Sequence, residues 1–281
     1  MIGASVRLLW RVFVGALAVF IAYFVLFLFY PYLHAKFPLL ICLIILYIVT
    51  AYFGIPVLVR LWRLVIRPKH LPHYTVSRDG WSSDPVNIAV VCKDEKQLKK
   101  AMEKAGWHIA DKPTVHNMLR EGYAILFNQP YPTAPFSNLY LFGRKQDIGF
   151  QIQTGEPATP RHRHHVRFWQ LQTEEEPHKH ISFWENIFQI FPVRKRQIWI
   201  GAATHDVKPF ALRIQNLQIT HQIDKETNKE RDYLIDSLEN AHMIKRCETL
   251  SAGDPIRFRG QTLGVNITTD GTLRVVELKR H

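Results

Sequence analysis

Two long apolar runs, neither holding an acidic residue, open this chain and set what its first quarter can fold into. Leu8–Tyr30 and Phe37–Val59 each reach the roughly 20 residues that a helix needs to cross a bilayer, and the first acid of the chain is Asp79. The first run exceeds the ~7–15 residues of a signal-peptide core, and no small-residue cleavage site follows it. The linker Pro31–Lys36 is short and fits a tight turn. The expectation is a transmembrane helical hairpin over residues 1–72, with spans at about 8–30 and 37–59.

The cations give this hairpin a direction. Arg7 and Arg11 stand at the start of the first span, Arg60, Arg63, Arg67 and Lys69 follow the second, and only Lys36 lies between. The positive-inside rule then places both termini, and all that follows, in the cytoplasm. Residues 1–72 hold seven Lys/Arg, which leaves 29 Lys/Arg against 24 Asp/Glu for the remainder. That excess is too mild for a nucleic-acid footprint and suits a domain held against an anionic leaflet. Cys42, Cys92 and Cys247 show no paired spacing, as expected in a reducing compartment.

Residues 73–281 suffice for one domain with its own core. His70–Asp84 reads as a polar connector and Val86–Cys92 as a strand. Asp94 with Gln97 resembles a capping pair ahead of a helix that ends at Gly106. A second helix is predicted over Thr114–Phe127, with Val115, Met118, Leu119, Tyr123 and Leu126 on its apolar side, broken by the prolines of Asn128–Pro135. Period-two alternation then predicts a hairpin of Leu139–Gly143 with Ile148–Gln153, and strands at His164–Leu171 and Ile198–Thr204. A helix from Asp224 to about Ile244 and a closing hairpin around Thr269-Asp270-Gly271 complete the pattern. The fold class is α+β, a mainly antiparallel sheet with about three helices behind the anchor.

Three blocks carry the chemistry: RHHVRFW (Arg163–Trp169), WIGAATHD (Trp199–Asp206) and ITHQIDKETNKERDYL (Ile219–Leu234). They put many ionisable groups on core-forming elements, where burial without partners is costly. Alternation along a strand places His164 on one face and Arg163, His165 and Arg167 on the other, and likewise separates His205 from Asp206. A metal reading draws on His164, His165, His221 and Asp206, a His/carboxylate set that divalent ions accept. An acid–base reading uses His165, Asp206, His221 and Asp224 as catalytic groups. An anion-binding reading uses Arg163, Arg167 and Arg231. A purely structural reading makes the same residues a salt-bridge network of the type Arg167–Asp206 or Arg231–Asp224, and takes Glu230-Arg231-Asp232 as a solvated helix face. Separately, Phe183, Trp184, Ile187, Phe188 and Phe191 share one side of a helical wheel beside a basic cluster, a pattern for the membrane interface and equally for packing onto the domain's own core or onto a partner.

These blocks, with PVNIA (Pro85–Ala89), AGWHIA (Ala105–Ala110) and PYPTAPFSNLYLFGRKQD (Pro130–Asp147), resemble the LssY C-terminal domain family over most of residues 85–245. The resemblance implies a bacterial protein of the inner membrane, often beside further membrane spans, and implies no particular activity. Two positions depart from the family pattern: Gln222 stands where a second histidine is usual, and His205 where an aromatic residue commonly precedes the aspartate. The segment Ser182–Pro192 also exceeds the usual connector.

The function expected from the sequence is recognition of a phosphate-bearing envelope lipid or its precursor, with hydrolysis where a divalent metal or the His/Asp groups activate water. The partners are then the bilayer, phospholipid headgroups or another membrane protein, with no nucleic acid. The alternative is a non-catalytic interaction domain supporting a membrane transporter or lipid-handling partner.

Overall fold

The computed structural model describes residues 4–55, 57–58, 74–171, 196–213, 217–251, 256–259, 262 and 265–279. Arg60, Arg63, Arg67 and Lys69, on which the orientation rests, and the aromatic segment Phe183–Phe191 lie outside them. The chain divides into two compact units.

The first unit comprises Met1–His70 with two short pieces, Arg78–Trp81 and Leu212–Ile219. Its helices are α1 (Ala4–Tyr23), a π-helical stretch Phe24–Phe29, α2 (Tyr30–His34), α3 (Leu39–Val49) and a second π-helical stretch Thr50–Gly54. Val12–His34 is long and apolar enough to cross a membrane, whereas Leu39–Gly54 is shorter. Leu9, Val19, Phe20 and Phe27 are 62–71% exposed, which a buried core helix would not tolerate in such number and which fits an anchor surrounded by lipid. Two hydrogen bonds join α3 and the following π-turn to the loop piece. Tyr47 Oη donates to the Leu217 carbonyl at 2.7 Å, and Gln218 Nε2 to the Ala51 carbonyl at 2.8 Å.

The second unit is a mixed α+β domain. Its strands are β1 (Tyr74–Ser77), β2 (Ser82–Pro85), β3 (Ile88–Cys92), β4 (His108–Ile109), β5 (Leu139–Leu141), β6 (Arg144–Lys145), β7 (Ile148–Gln153), β8 (Arg163–Gln170), β9 (Gln197–Leu212), β10 (Ile219–Ile223), β11 (Ile244–Ser251), β12 (Ile256–Arg259), β13 (Asn266–Thr269) and β14 (Thr272–Leu278). Eight of these strands form the main sheet, in the order β11-β14-β3-β9-β8-β7-β4 with β10 beside β9. Along that seven-strand order β14 and β3 run parallel, and the other neighbouring pairs are antiparallel. A second sheet, β2-β1-β5-β6, includes the segment expected to be a polar connector.

Three helices accompany the sheets among the described residues: α4 (Glu95–Lys104), α5 (Val115–Leu126) and α6 (Thr227–Asn240). Asp94 caps α4 by accepting from the Gln97 amide at 2.9 Å, while Gln97 Oε1 accepts from the Lys93 amide. Thr114 caps α5 in the same way. Leu98 and Met102 of α4 and Leu234 and Leu238 of α6 bury one face of the main sheet against Val90, Phe150, Phe168, Trp199 and Val276. On the other face Ala89, Trp169, Ile200 and Val275 pack with Leu139 and Leu141 of the small sheet. Gly201 is required by this packing, since a Cβ there would fall 2.6 Å from both Ile88 Cγ2 and Phe168 Cε1.

Three expected connections differ. β5 turns back through Phe142 and Gly143, both at positive φ, into β6, and β7 belongs to the other sheet. Two residues at positive φ make the tight hairpin possible and consume the segment taken as a longer loop. The helix from 227 stops at Asn240, and Ile244–Ser251 is a strand that pairs with β14. Thr269-Asp270-Gly271 therefore links β13, paired with β12, to β14, paired with β11 and β3, instead of joining two partners of one hairpin. Asp224 begins an Asx turn, its Oδ1 accepting from the Glu226 amide, and does not cap α6 directly.

Candidate functional site

The polar blocks converge on β8 and β9, and the main sheet divides them into two clusters. Strand alternation carries the division: Arg163, His165 and Arg167 face the small sheet with Thr204 and Asp206, while His164 and His205 face α6.

The first cluster is charge-balanced and buried. Arg163 Nε donates to Asp206 Oδ2 at 2.8 Å, and His165 Nε2 lies 3.1 Å from Asp206 Oδ1. Burial would raise the Asp206 carboxyl, but His165 and Arg163 converging on its two oxygens hold it well below the usual carboxylate range. Burial lowers His165, with Asp206 opposing the fall, and its ring lies between Asp206, Thr204 and Arg167. Arg167 pairs with Asp84 at 2.7 Å, a residue of β2 that the sequence placed in a connector. Arg163 Nη1 also lies 3.0 Å from Glu121 Oε1 on α5.

The proline-rich loop after α5 is built onto these same side chains. Arg163 donates to the Pro135 carbonyl, Arg167 to that of Ser137, Gln151 to that of Ala134 and Gln153 to that of Tyr131. Phe136 lies with its ring 4.5 Å from the Arg167 guanidinium and against Gly149, where any Cβ would enter the ring. PYPTAPF and RHHVRFW are thus one structural unit: the loop's carbonyls, which water would otherwise have to satisfy, are capped by donors on the sheet.

His221 of β10 lies at the edge of this cluster. Its Nε2 is 3.9 Å from Glu121 Oε1, and its Nδ1 is buried without a hydrogen-bond partner among the described residues. Burial lowers its ring to about 4 and raises Glu121, with Arg163 opposing the rise. Burial thus disfavours the charged form of each.

The second cluster lies under α6. His164 and His205 are direct cross-strand partners with rings stacked at 4.1 Å, and Tyr233 stacks on the other side of His164 at 4.1 Å. Glu230 Oε2 is 2.5 Å from His164 Nδ1, while Glu230 Oε1 is buried and has no hydrogen-bond partner among the described residues. Burial pushes Glu230 up to about 9 and His164 down to about 4. His164, His205 and Glu230 each offer a ligand atom, and all three atoms lie within 4.8 Å of one another.

The structure therefore does not bring the four expected metal positions together. His165, His221 and Asp206 share one face, and His164 stands on the other with His205 and Glu230. Nor are the three arginines free for an anion. Arg163 and Arg167 hold carboxylates, and Arg231 holds Asp232, Asp270 and Thr272 at the turn into β14. The expected ion-pair types Arg167–Asp206 and Arg231–Asp224 are replaced by Arg167–Asp84 and Arg231–Asp270. Glu230 and Arg231 are 3% and 4% exposed, not a solvated face. The signal for Glu230 was its spacing with Leu234 and Leu238, one turn and two turns on. Asp84, Gln151 and Glu121 carried no comparable signal.

A family model described as LssY C-terminus matches residues 68–273, from just before β1 into β14. The chain belongs to the LssY C-terminus family. No curated protein and no solved structure matches it. In this LssY C-terminal domain the matched stretch contains both polar clusters and the loop that covers the first.

Proposed function

We propose that this chain is a bilayer-anchored domain that recognises a phosphate-bearing lipid, with α5 meeting the lipid phase. The observation that carries this reading is the direction in which α5 points. Val115, Met118, Leu119, Tyr123, Leu126 and the adjoining Phe127 are 56–77% exposed, whereas the inward side carries Ala124, Ile125 and Glu121. A helix that turns its apolar side away from its own core normally meets lipid or a partner. The same chain carries an apolar anchor helix, which favours lipid. On the inner side, His221, whose Nδ1 is buried without a hydrogen-bond partner among the described residues, is the group left to meet a headgroup phosphate, with Glu121 beside it. In this reading the anchor is a two-span hairpin of the bacterial inner membrane with both ends in the cytoplasm.

A photo-crosslinking amino acid at Leu119 or Leu126 in the full-length membrane protein tests it. Lipid adducts found by intact mass support the reading and report the headgroup class. Absence of any adduct, with the probe quenched from water, sinks it.

The pairing of Arg163, Arg167 and Arg231 with carboxylates favours a second reading, a non-catalytic interaction domain whose α5 meets another membrane protein. Protein adducts at Leu119 without lipid adducts would select it.

A further inference from the structure

The groups under α6 ask for a ligand of their own. Glu230 is a carboxyl buried to 3% exposure whose Oε2 meets an imidazole and whose Oε1 has no hydrogen-bond partner among the described residues. A buried acid normally faces a guanidinium, an ammonium or several backbone amides, and this protein supplies those elsewhere, to Asp206, Asp84 and Asp270. Beside Glu230 stand two histidines held in place from both sides. Cross-strand pairing fixes His164 opposite His205, and Tyr233 stacks on His164 from α6. Asn87 sets the distance between the two elements: its side chain bonds both Ala203 backbone groups on β9 and donates to the Thr227 carbonyl at the start of α6.

We infer that His164, His205 and Glu230 form a mononuclear site for a divalent first-row transition metal. The chemistry of the donor set points to that class. Two imidazoles and one carboxylate suit zinc, iron(II) or manganese(II), and three protein ligands leave a position for water or a substrate oxygen. Metal bonds of about 2.1 Å at tetrahedral angles place ligand atoms roughly 3.4 Å apart, between the 2.5 Å separating His164 Nδ1 from Glu230 Oε2 and the 4.8 Å within which all three ligand atoms lie. The incoming charge is what the orphaned Glu230 oxygen lacks. His164 is 14% exposed on its side chain, enough to receive an ion from solvent. Asp224 on the adjoining turn adds a negative field at both His205 and Glu230. The site lies on the opposite face of the sheet from Glu121 and His221 and does not depend on the lipid reading.

Cobalt(II) titration of the full-length protein, purified in detergent without a histidine tag and stripped with chelator, is the test. One equivalent should produce visible d–d bands of a low-coordinate site. Glu230→Gln, His164→Ala and His205→Ala should each abolish them, while His221→Ala on the other face retains them. Thermal melts check that each variant is folded, and Glu230→Gln, nearly isosteric, serves if the histidine variants are not. No saturable bands in the wild-type chain, or bands retained in folded Glu230→Gln, or lost in His221→Ala alone, would overturn the assignment.

Discussion

Arg167 of β8 reaches Asp84 of β2 across 2.7 Å with both side chains buried, and this one ion pair joins the main sheet to the small one. Arg167 also donates to the Ser137 carbonyl and Asp84 accepts from Thr204, so the pair is embedded in further hydrogen bonds. Removing one partner leaves the other charge buried and unmatched, which typically costs about 3–5 kcal/mol. Asp84→Ala and Arg167→Ala should each lower stability by that order in a denaturant melt. The apolar double replacement Asp84→Leu/Arg167→Met should recover most of the loss, because no charge then remains to be desolvated. Additive losses in the double variant would contradict a specific pair.

The elements with a local signature could be read from the chain, and the pairings between distant elements could not. Asp94/Gln97 and Thr114 are short-range caps and mark α4 and α5 to within a residue. RHHVRFW alternates cleanly and is a strand with the expected facing of each residue. Asp84 reads as the end of a polar connector because its partner lies 83 residues away. The apolar side of α5 was legible as a stripe, but periodicity reports only that a stripe exists, not whether protein or lipid covers it. The metal-ligand set failed for a related reason: residue types can be counted in a sequence, whereas the sheet separates His164 from His165 by one position of alternation.

Phe136 and Gly149 define a tight contact that holds the proline-rich loop over the first cluster. Gly149→Ala has no room, and its methyl must displace the Phe136 ring from Arg167. Overpacking of this kind costs about 1–3 kcal/mol. The expected outcome is a lower melting temperature, with partial recovery in Gly149→Ala/Phe136→Leu, where the smaller side chain vacates the space. An unchanged melt for Gly149→Ala would mean that the loop yields freely and does not cap the cluster.

Asn87 should be one of the least replaceable polar residues. Its amide satisfies Ala203 N–H and C=O on β9 and the Thr227 carbonyl, all buried. Asn87→Leu strands those groups, each worth about 1–3 kcal/mol when left unsatisfied. Asn87→Asp keeps the acceptor but sets a charge against two carbonyls. Both variants should be strongly destabilised in thermal melts, Asn87→Asp more severely at neutral pH than in mild acid, where protonation restores a donor. Equal destabilisation of Asn87→Asp at both pH values would rule out that hydrogen-bond role.

Glu230 sets the alkaline limb of stability in the metal-free protein. Burial pushes its carboxyl from 4.5 to about 9. Between those values the folded chain holds a proton that the unfolded chain has released, so stability declines as pH rises through that window. His164 and His221 act in the other direction. Burial lowers both from 6.5 to about 4, so the unfolded chain takes up protons that the folded chain refuses as pH falls from 6.5 toward 4. Chelator-treated protein should therefore melt highest near pH 6.5 and lose stability toward pH 9. Glu230→Gln, neutral throughout, should flatten the alkaline limb and gain on the order of 2–4 kcal/mol near pH 8. Saturating metal should invert the order, because the metal binds the carboxylate of the folded chain and draws that pKa down. An alkaline limb of equal slope in wild type and Glu230→Gln would show that the buried carboxyl is not its source.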